Sequence, residues 1–296
     1  MVKKISALIV LLIFGYLLWN ISHYKNDLVN FWGSINFLLV TLFALPIYLF
    51  NILAWHATTR VLNFKIDLLT DAQIWMYSNI SRFLPGGIFQ YPSRIFLLTK
   101  QKVSHLKSLM AILLELLFSL GVGGIFSLSI LTIISQDEAL SKFQIPLLIL
   151  LLFFVPLSFG NRQLINIFSK VLKKLKRPEY QALESLNLPT SRLFLLALAF
   201  SSTFIFPGLT LFALSNLDIT KLPTVLGMYA FSWMVGYLSI FAPGGFGVME
   251  AVLAFLLSFY MPLPTATLLA IIFRVVLLSS EALSFLGLYI LARLKD

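Results

Sequence analysis

Four ionisable side chains of this 296-residue chain lie inside long apolar runs: Glu115, Glu250, Arg274 and Glu281. A charge at the bilayer centre costs about 2.5–3.5 kcal/mol on insertion scales, so each needs a partner or water. Arg274 and Glu281 are seven positions apart. That spacing puts them on one helical face but beyond a direct i,i+4 pair. Glu115 and Arg274 then read as partners across the membrane. Glu250 falls about two turns into a segment opened by "FAPGGFGVMEAV" (241–252), where Pro243, Gly244, Gly245 and Gly247 break the helix. A related stretch, "RFLPGGIFQYPSR" (82–94), carries Pro85, Gly86 and Gly87. Arg82 and Arg94 bracket it, with Gln90 between. The planar guanidinium fork suits phosphate or carboxylate, so these three residues are candidates for holding an anionic head-group.

A helix broken at membrane depth leaves backbone groups unpaired. Lipid tolerates that only where the break is buried in protein or lines a watered cavity. Half-helix N-termini also present N–H groups and a positive dipole end to an anion. Two Pro-Gly-Gly breaks together with the buried charges therefore predict a polar site inside an apolar body.

The rest of the chain must be the body that holds this site. Apolar residues make up 59%, charged residues 11%, and the mean hydropathy is +0.93. Soluble domains carry about 25% charge. Clear spans run roughly over 5–21, 35–55, 108–134, 143–160, 192–217 and 264–292. The broken regions 66–100 and 222–261 form hairpins that re-enter the membrane or, for the second, two full spans. The expected fold is all-α: a polytopic membrane protein of about six full helices plus two broken or re-entrant hairpins, in a single integral domain (1–296).

Positive charge sets the orientation. Lys3 and Lys4, the groups at 60–65 and 94–107, the strongly basic 161–192 loop, and Arg293 with Lys295 mark one face. That face is read as cytoplasmic, with both termini on it, in the plasma membrane of a bacterium or archaeon. The first hairpin then leaves from and returns to the inside, the second to the outside. Pro85 and Pro243 lie 158 positions apart, Glu115 and Arg274 159. The chain reads as an inverted repeat, about 35–134 and 192–292, an arrangement found in secondary transporters with sites near the midplane.

Other classes are excluded or unsupported. The excess of Lys+Arg (22) over Asp+Glu (12) sits at span ends as a topology signal, so no nucleic-acid partner is expected. His23, His56 and His105 lack metal-ligand spacing, and no metal or other cofactor is expected. There is no cysteine. The N-terminal run lacks a small-residue cleavage site and reads as a retained helix. Trp19, Trp32 and Trp75 read as interfacial belt residues.

The stretches "NISRFLPGGIFQYPSRIFLLTKQKVSHLKSLMAILLELLFSL" and "YLSIFAPGGFGVMEAVLAFLL…AIIFRVVLL" resemble the membrane region of lysylphosphatidylglycerol synthase/flippase proteins. Pro243, Gly244, Gly245, Gly247, Glu250 and Arg274 match that pattern, as do Pro85, Gly86, Arg94 and Glu115. The first half departs where the family usually has a glutamate (Gln90 here) and an Arg and an Asp after Glu115 (Leu116 and Ser119). The resemblance implies a flippase-like domain that moves a lipid or lipid-linked head-group between leaflets, with membrane lipids as its partners. Aminoacyl transfer in that family needs a soluble domain after the membrane region. The chain stops at Asp296 and shows no nucleophile motif or acid/base pair, so no enzymatic activity is expected. The alternative expectation is a non-transporting partner or scaffold whose 161–192 loop docks a cell-envelope glycosyltransferase or lipid-modifying enzyme.

Overall fold

The structure, a computed structural model, describes residues 36–84, 88–131, 190–239 and 242–294. It also describes Ser141, Gln144, Ile145, Leu148, Ile149, Lys170, Lys173 and Lys174. The expected span at 5–21 lies outside these residues, as do Pro85, Gly86 and Gly87 and nearly all of 143–160 and of the 161–192 loop. The described chain is helical, without strands. Its main elements are α1 (Phe37–Ala44), α2 (Ile47–Val61), α3 (Leu68–Ile80), α4 (Gln90–Lys100), α5 (His105–Ser127), α6 (Thr190–Ser215), α7 (Leu222–Leu238), α8 (Val248–Leu257) and α9 (Leu263–Arg293).

Four described segments are long and apolar enough to cross a membrane: Phe37–Val61, His105–Ile130, Ser191–Ser215 and Leu263–Arg293. They coincide with four of the six expected spans. The first is α1 and α2 together, kinked at Pro46, whose missing N–H cannot join the helical ladder. Their outer faces are apolar and exposed, as at Leu38, Leu42, Leu49, Phe194, Leu195, Leu283 and Leu291. Apolar surface of this extent is not what a protein turns to water; hydrocarbon covers it.

Helices α3, α4 and α8, with 13, 11 and 10 residues, are shorter than the ~17 residues that the thinnest crossing needs. Local chemistry sets where they start and stop. Asp67 accepts the Thr70 N–H at the start of α3, and Ser104 accepts the Lys107 N–H at the start of α5. The end of α3 tightens into a 3₁₀ turn over Ser81–Phe83. The segment after α7 forms another over Pro243–Gly245. These two turns meet, with the Phe83 and Phe246 rings 5.7 Å apart between centroids.

Helix α6 packs against α1, α2, α5 and α7, and α9 packs against α8. Phe204 of α6 centres an aromatic layer with Phe126, Tyr229 and Trp233. Leu196, Leu211, Val225, Met228 and Phe273 are fully buried around it. Beside this core the 3₁₀ turn that ends α3 meets the one that precedes α8.

The second break depends on glycine in particular. Gly244, Gly245 and Gly247 have φ of 59°, 71° and 82°, a region that costs an ordinary residue about 1–3 kcal/mol. A Cβ on Gly245 would also lie 3.1 Å from the carbonyl carbon and oxygen of Gly236, backbone that cannot swing aside. Gly245→Ala is therefore expected to lower the thermal unfolding midpoint of the purified protein clearly. Gly287→Ala, at a helical position with open space around it, is expected to leave the midpoint unchanged or raise it. Equal shifts for the two variants would refute the packing argument.

Candidate functional site

Between the short helices lies a cavity of about 430 Å³. Ligand pockets run from ~300 to ~1,000 Å³, so it has room for a small polar group and its water, not for acyl chains. Arg82, Gln90, Arg94, Glu115 and Arg274 line it, together with Tyr48, Asn79, Tyr91, Tyr229 and Tyr237. The positions where the chain departs from the family pattern, Gln90, Leu116 and Ser119, all face this cavity. Polar side chains from α2, α3, α4, α5, α7 and α9 thus converge on one point inside an apolar body.

Three arginines and three glutamates form three ion pairs. Glu250, in the first turn of α8 rather than two turns into it, accepts the Gly247 N–H at 2.7 Å. It thereby caps its own half-helix, and the N-terminal dipole expected to face a ligand is already met by this carboxylate. The other oxygen of Glu250 lies 3.1 Å from Arg274 Nε. That contact is ionic without hydrogen-bond alignment, and both atoms lack another partner. Arg274 donates through Nη2 to the Gly244 carbonyl at 2.6 Å, and its guanidinium lies 4.4 Å from the centre of the Phe246 ring. The second Pro-Gly-Gly break is therefore held from both sides: Glu250 holds the Gly247 N–H and Arg274 the Gly244 carbonyl.

The first half uses the same chemistry with the charges exchanged between helices. Arg94 of α4 is 2% exposed. It donates through Nη1 to Glu115 of α5 and through Nε to Ser78 at 2.9 Å. The faces of Trp55 and Trp75 flank its guanidinium at 4.6 and 5.9 Å. Trp75 Nε1 donates to the other oxygen of Glu115 at 3.0 Å. Glu115 is thus paired with Arg94, not with Arg274 as the sequence reading expected. This pairing follows from the fold, which places α4 and α5 side by side and α8 beside α9. Trp75, expected in an interfacial belt, is buried and carries one of the bonds to Glu115.

The third pair joins the halves. Arg82, at the tip of the first hairpin, donates to Glu281 of α9 at 2.6 Å. Glu281 also accepts from Asn79 at 3.1 Å and from Tyr48 at 3.2 Å, so this carboxylate has three donors. Arg82 keeps Nε buried and unpartnered. Across the cavity the hydroxyls of Tyr91 (α4) and Tyr237 (α7) bond to each other, and Tyr237 stacks on Trp233 at 4.8 Å. Tyr48, Trp55, Trp75, Ser78, Asn79, Tyr91 and Tyr237 are the members of this arrangement that reading the sequence missed. Of the expected members, Gln90 is buried at the start of α4 and Gly244 and Gly245 line the wall.

Fold and site together define an all-helical membrane protein with its buried charges paired around an internal cavity. Residues 5–280 match the family described as lysylphosphatidylglycerol synthase TM region, and the chain belongs to that family. A search of the curated proteins finds no match.

A buried ion pair contributes little net stability, but removing one partner costs about 3–5 kcal/mol because the other charge is left stranded. Glu115→Leu is expected to destabilise the protein by about that amount. The double variant Arg94→Met/Glu115→Leu should recover most of the loss, as thermal unfolding in detergent would register. Additive losses in the double variant would mean that the two side chains do not act as a pair.

Proposed function

We propose that this chain is a flippase-like transporter that moves a lipid or lipid-linked head-group between membrane leaflets through the central cavity. The observation that carries this reading is the set of three Arg–Glu pairs gathered at interrupted helices around a space sized for a head-group. Ionisable groups inside a membrane protein are expensive to keep and mark substrate paths. Arg82 and Arg274 expose guanidinium edges to the cavity while Glu281 and Glu250 stand behind them. A phosphate or carboxylate entering the cavity meets arginine first, with the counter-charge already placed to take the guanidinium back when the ligand leaves.

In this reading the two Pro-Gly-Gly regions are re-entrant hairpins of an inverted repeat. Support comes from the order of elements: a helix of 13 residues, a break, a helix of 11 and a long apolar helix occur in α3–α5, and a helix of 17, a break, a helix of 10 and a long apolar helix in α7–α9. The charge-exchanged pairs Arg94–Glu115 and Glu250–Arg274 occupy matching helices in the two sets. Rocking one set against the other would open the cavity to each leaflet in turn, and the chain would carry out no reaction of its own.

The test is reconstitution in vesicles containing a fluorescent phosphatidylglycerol, with exchange between leaflets followed by a membrane-impermeant quencher. Wild-type protein is expected to accelerate exchange, and Arg274→Ala and Arg82→Ala to slow it at least about tenfold, one lost charged contact of ~1.4 kcal/mol being worth that factor. A protein that moves neither this lipid nor others under any gradient sinks the proposal. Variants that change only protein level or assembly would point to a scaffold instead.

A further inference from the structure

The end of α3 opposite Arg82 carries a second cluster of ionisable groups that the central cavity does not use. Asp71, in the first turn of α3, is fully buried, and His56 of α2 beside it is 18% exposed. One carboxylate oxygen, Oδ2, lies 2.6 Å from His56 Nδ1 and 2.6 Å from the Thr59 hydroxyl. Arg60 donates from Nε to His56 Nε2 at 3.2 Å. Arginine is only a donor, so Nε2 must be an acceptor. That leaves Nδ1 as the ring nitrogen that donates to Asp71. The second carboxylate oxygen, Oδ1, is buried and has no partner. A fully buried carboxylate with one oxygen doubly bonded and the other bare has a vacant place for one proton.

Two further features make the place useful. The Thr59 hydroxyl has one proton and two acceptors in reach, Asp71 Oδ2 at 2.6 Å and the His56 carbonyl at 2.9 Å. Neutralising Asp71 lets that proton turn to the carbonyl, which gives the contact two arrangements. His56 reaches the surface on the face where Arg60 and Lys65 are exposed, and Arg192 of α6 sits with Arg60 on a shallow depression there. The charged groups of the other helices packed nearby are engaged elsewhere, Arg94 with Glu115 and Glu281 with Arg82. Along α3 and the 3₁₀ turn that ends it, Asp71, Trp75, Asn79 and Arg82 follow at intervals of three or four and fall on one side. Trp75 holds Glu115, and Asn79 and Arg82 hold Glu281.

We infer that the His56–Asp71 pair is a proton-binding site, loaded from the face that carries Arg60 and Lys65, whose proton is the coupling ion for the lipid movement proposed above. The proton passes from water on that face to Asp71 Oδ1 and, once the two sets of helices have rocked, leaves to water on the opposite face. Its arrival removes the charge that His56 Nδ1–H and Thr59 O–H were holding and frees the base of α3 from α2. The tip of the same helix carries Arg82 into the cavity. Ligand and proton then act on one rigid element, and each must alter the other's affinity by the same factor. The coupling rests on the transport reading; the proton site does not.

The test uses the full chain in vesicles of phosphatidylcholine and phosphatidylglycerol, with infrared difference spectra reporting carboxyl protonation and a fluorescent phosphatidylglycerol reporting transport. Acidification is expected to raise a protonated-carboxyl band in the wild type that Asp71→Asn lacks. His56→Gln, which keeps the carboxylate, should move the pH midpoint of that band, so the assignment does not depend on Asp71→Asn folding. With one proton per lipid, each unit of pH gradient shifts the leaflet ratio of the probe about tenfold, because one pH unit is a tenfold change in proton activity. Asp71→Asn is expected to lose that shift. A band indifferent to both substitutions overturns the proton site. A probe that crosses with a leaflet ratio indifferent to the gradient overturns the coupling and leaves the transport reading standing. A probe that never crosses, beside an Asp71-dependent band, overturns transport and coupling and supports the proton site alone.

Discussion

A guanidinium surrounded by apolar helices and lipid must be met by a carboxylate, and much of this molecule is arranged around that requirement. Arg82, Arg94 and Arg274 each have one, supplied by Glu281, Glu115 and Glu250. Pairing alone would not repay the removal of two ions from water; the remaining lone pairs and N–H groups must also be used. Asn79 and Tyr48 complete Glu281, Trp75 completes Glu115, and the Gly247 N–H completes one oxygen of Glu250. The tryptophan faces around Arg94 and the Phe246 ring beside Arg274 cover the flat sides of the cations.

The same contacts explain why the chain can break its helices so deep in the protein. A loop there must have its backbone groups satisfied. Arg274 takes the Gly244 carbonyl, Glu250 takes the Gly247 N–H, and the Gly245 N–H bonds the Ala242 carbonyl. The three glycines supply the left-handed turns that bring those groups into line. Charge pairing and backbone irregularity are thus one device: the irregular loop needs the ions, and the ions need the loop.

The long spans were legible in the sequence because hydrophobic length is a local property. The expected segments at 35–55, 108–134, 192–217 and 264–292 fall on the four long apolar helices. The second break was legible because proline and repeated glycine have few other uses inside an apolar run. The partners of the charges were not. Arg82 and Glu281 are 199 positions apart, and nothing local to either points to the other. Glu115 was assigned to Arg274 from their matched positions, whereas packing of α4 along α5 gives it Arg94. Trp75 was misread because an indole suits a membrane interface and a buried hydrogen bond equally well. A signal that would have separated the two was present: Asp71, Trp75, Ser78, Asn79 and Arg82 make a polar stripe along one face of a short helix, which an interfacial belt does not require.

Helix α9 carries charges of both signs toward the cavity region. Arg274 secures the tip of the second hairpin and Glu281, two turns along, secures the tip of the first. Seven residues of helix separate them by about 10.5 Å, and a helix neither stretches nor shears over that distance. Any slide or roll of α9 therefore reaches both tips together. The hairpins are ganged on one shaft, so a movement of α9 that releases one while leaving the other latched requires α9 itself to bend.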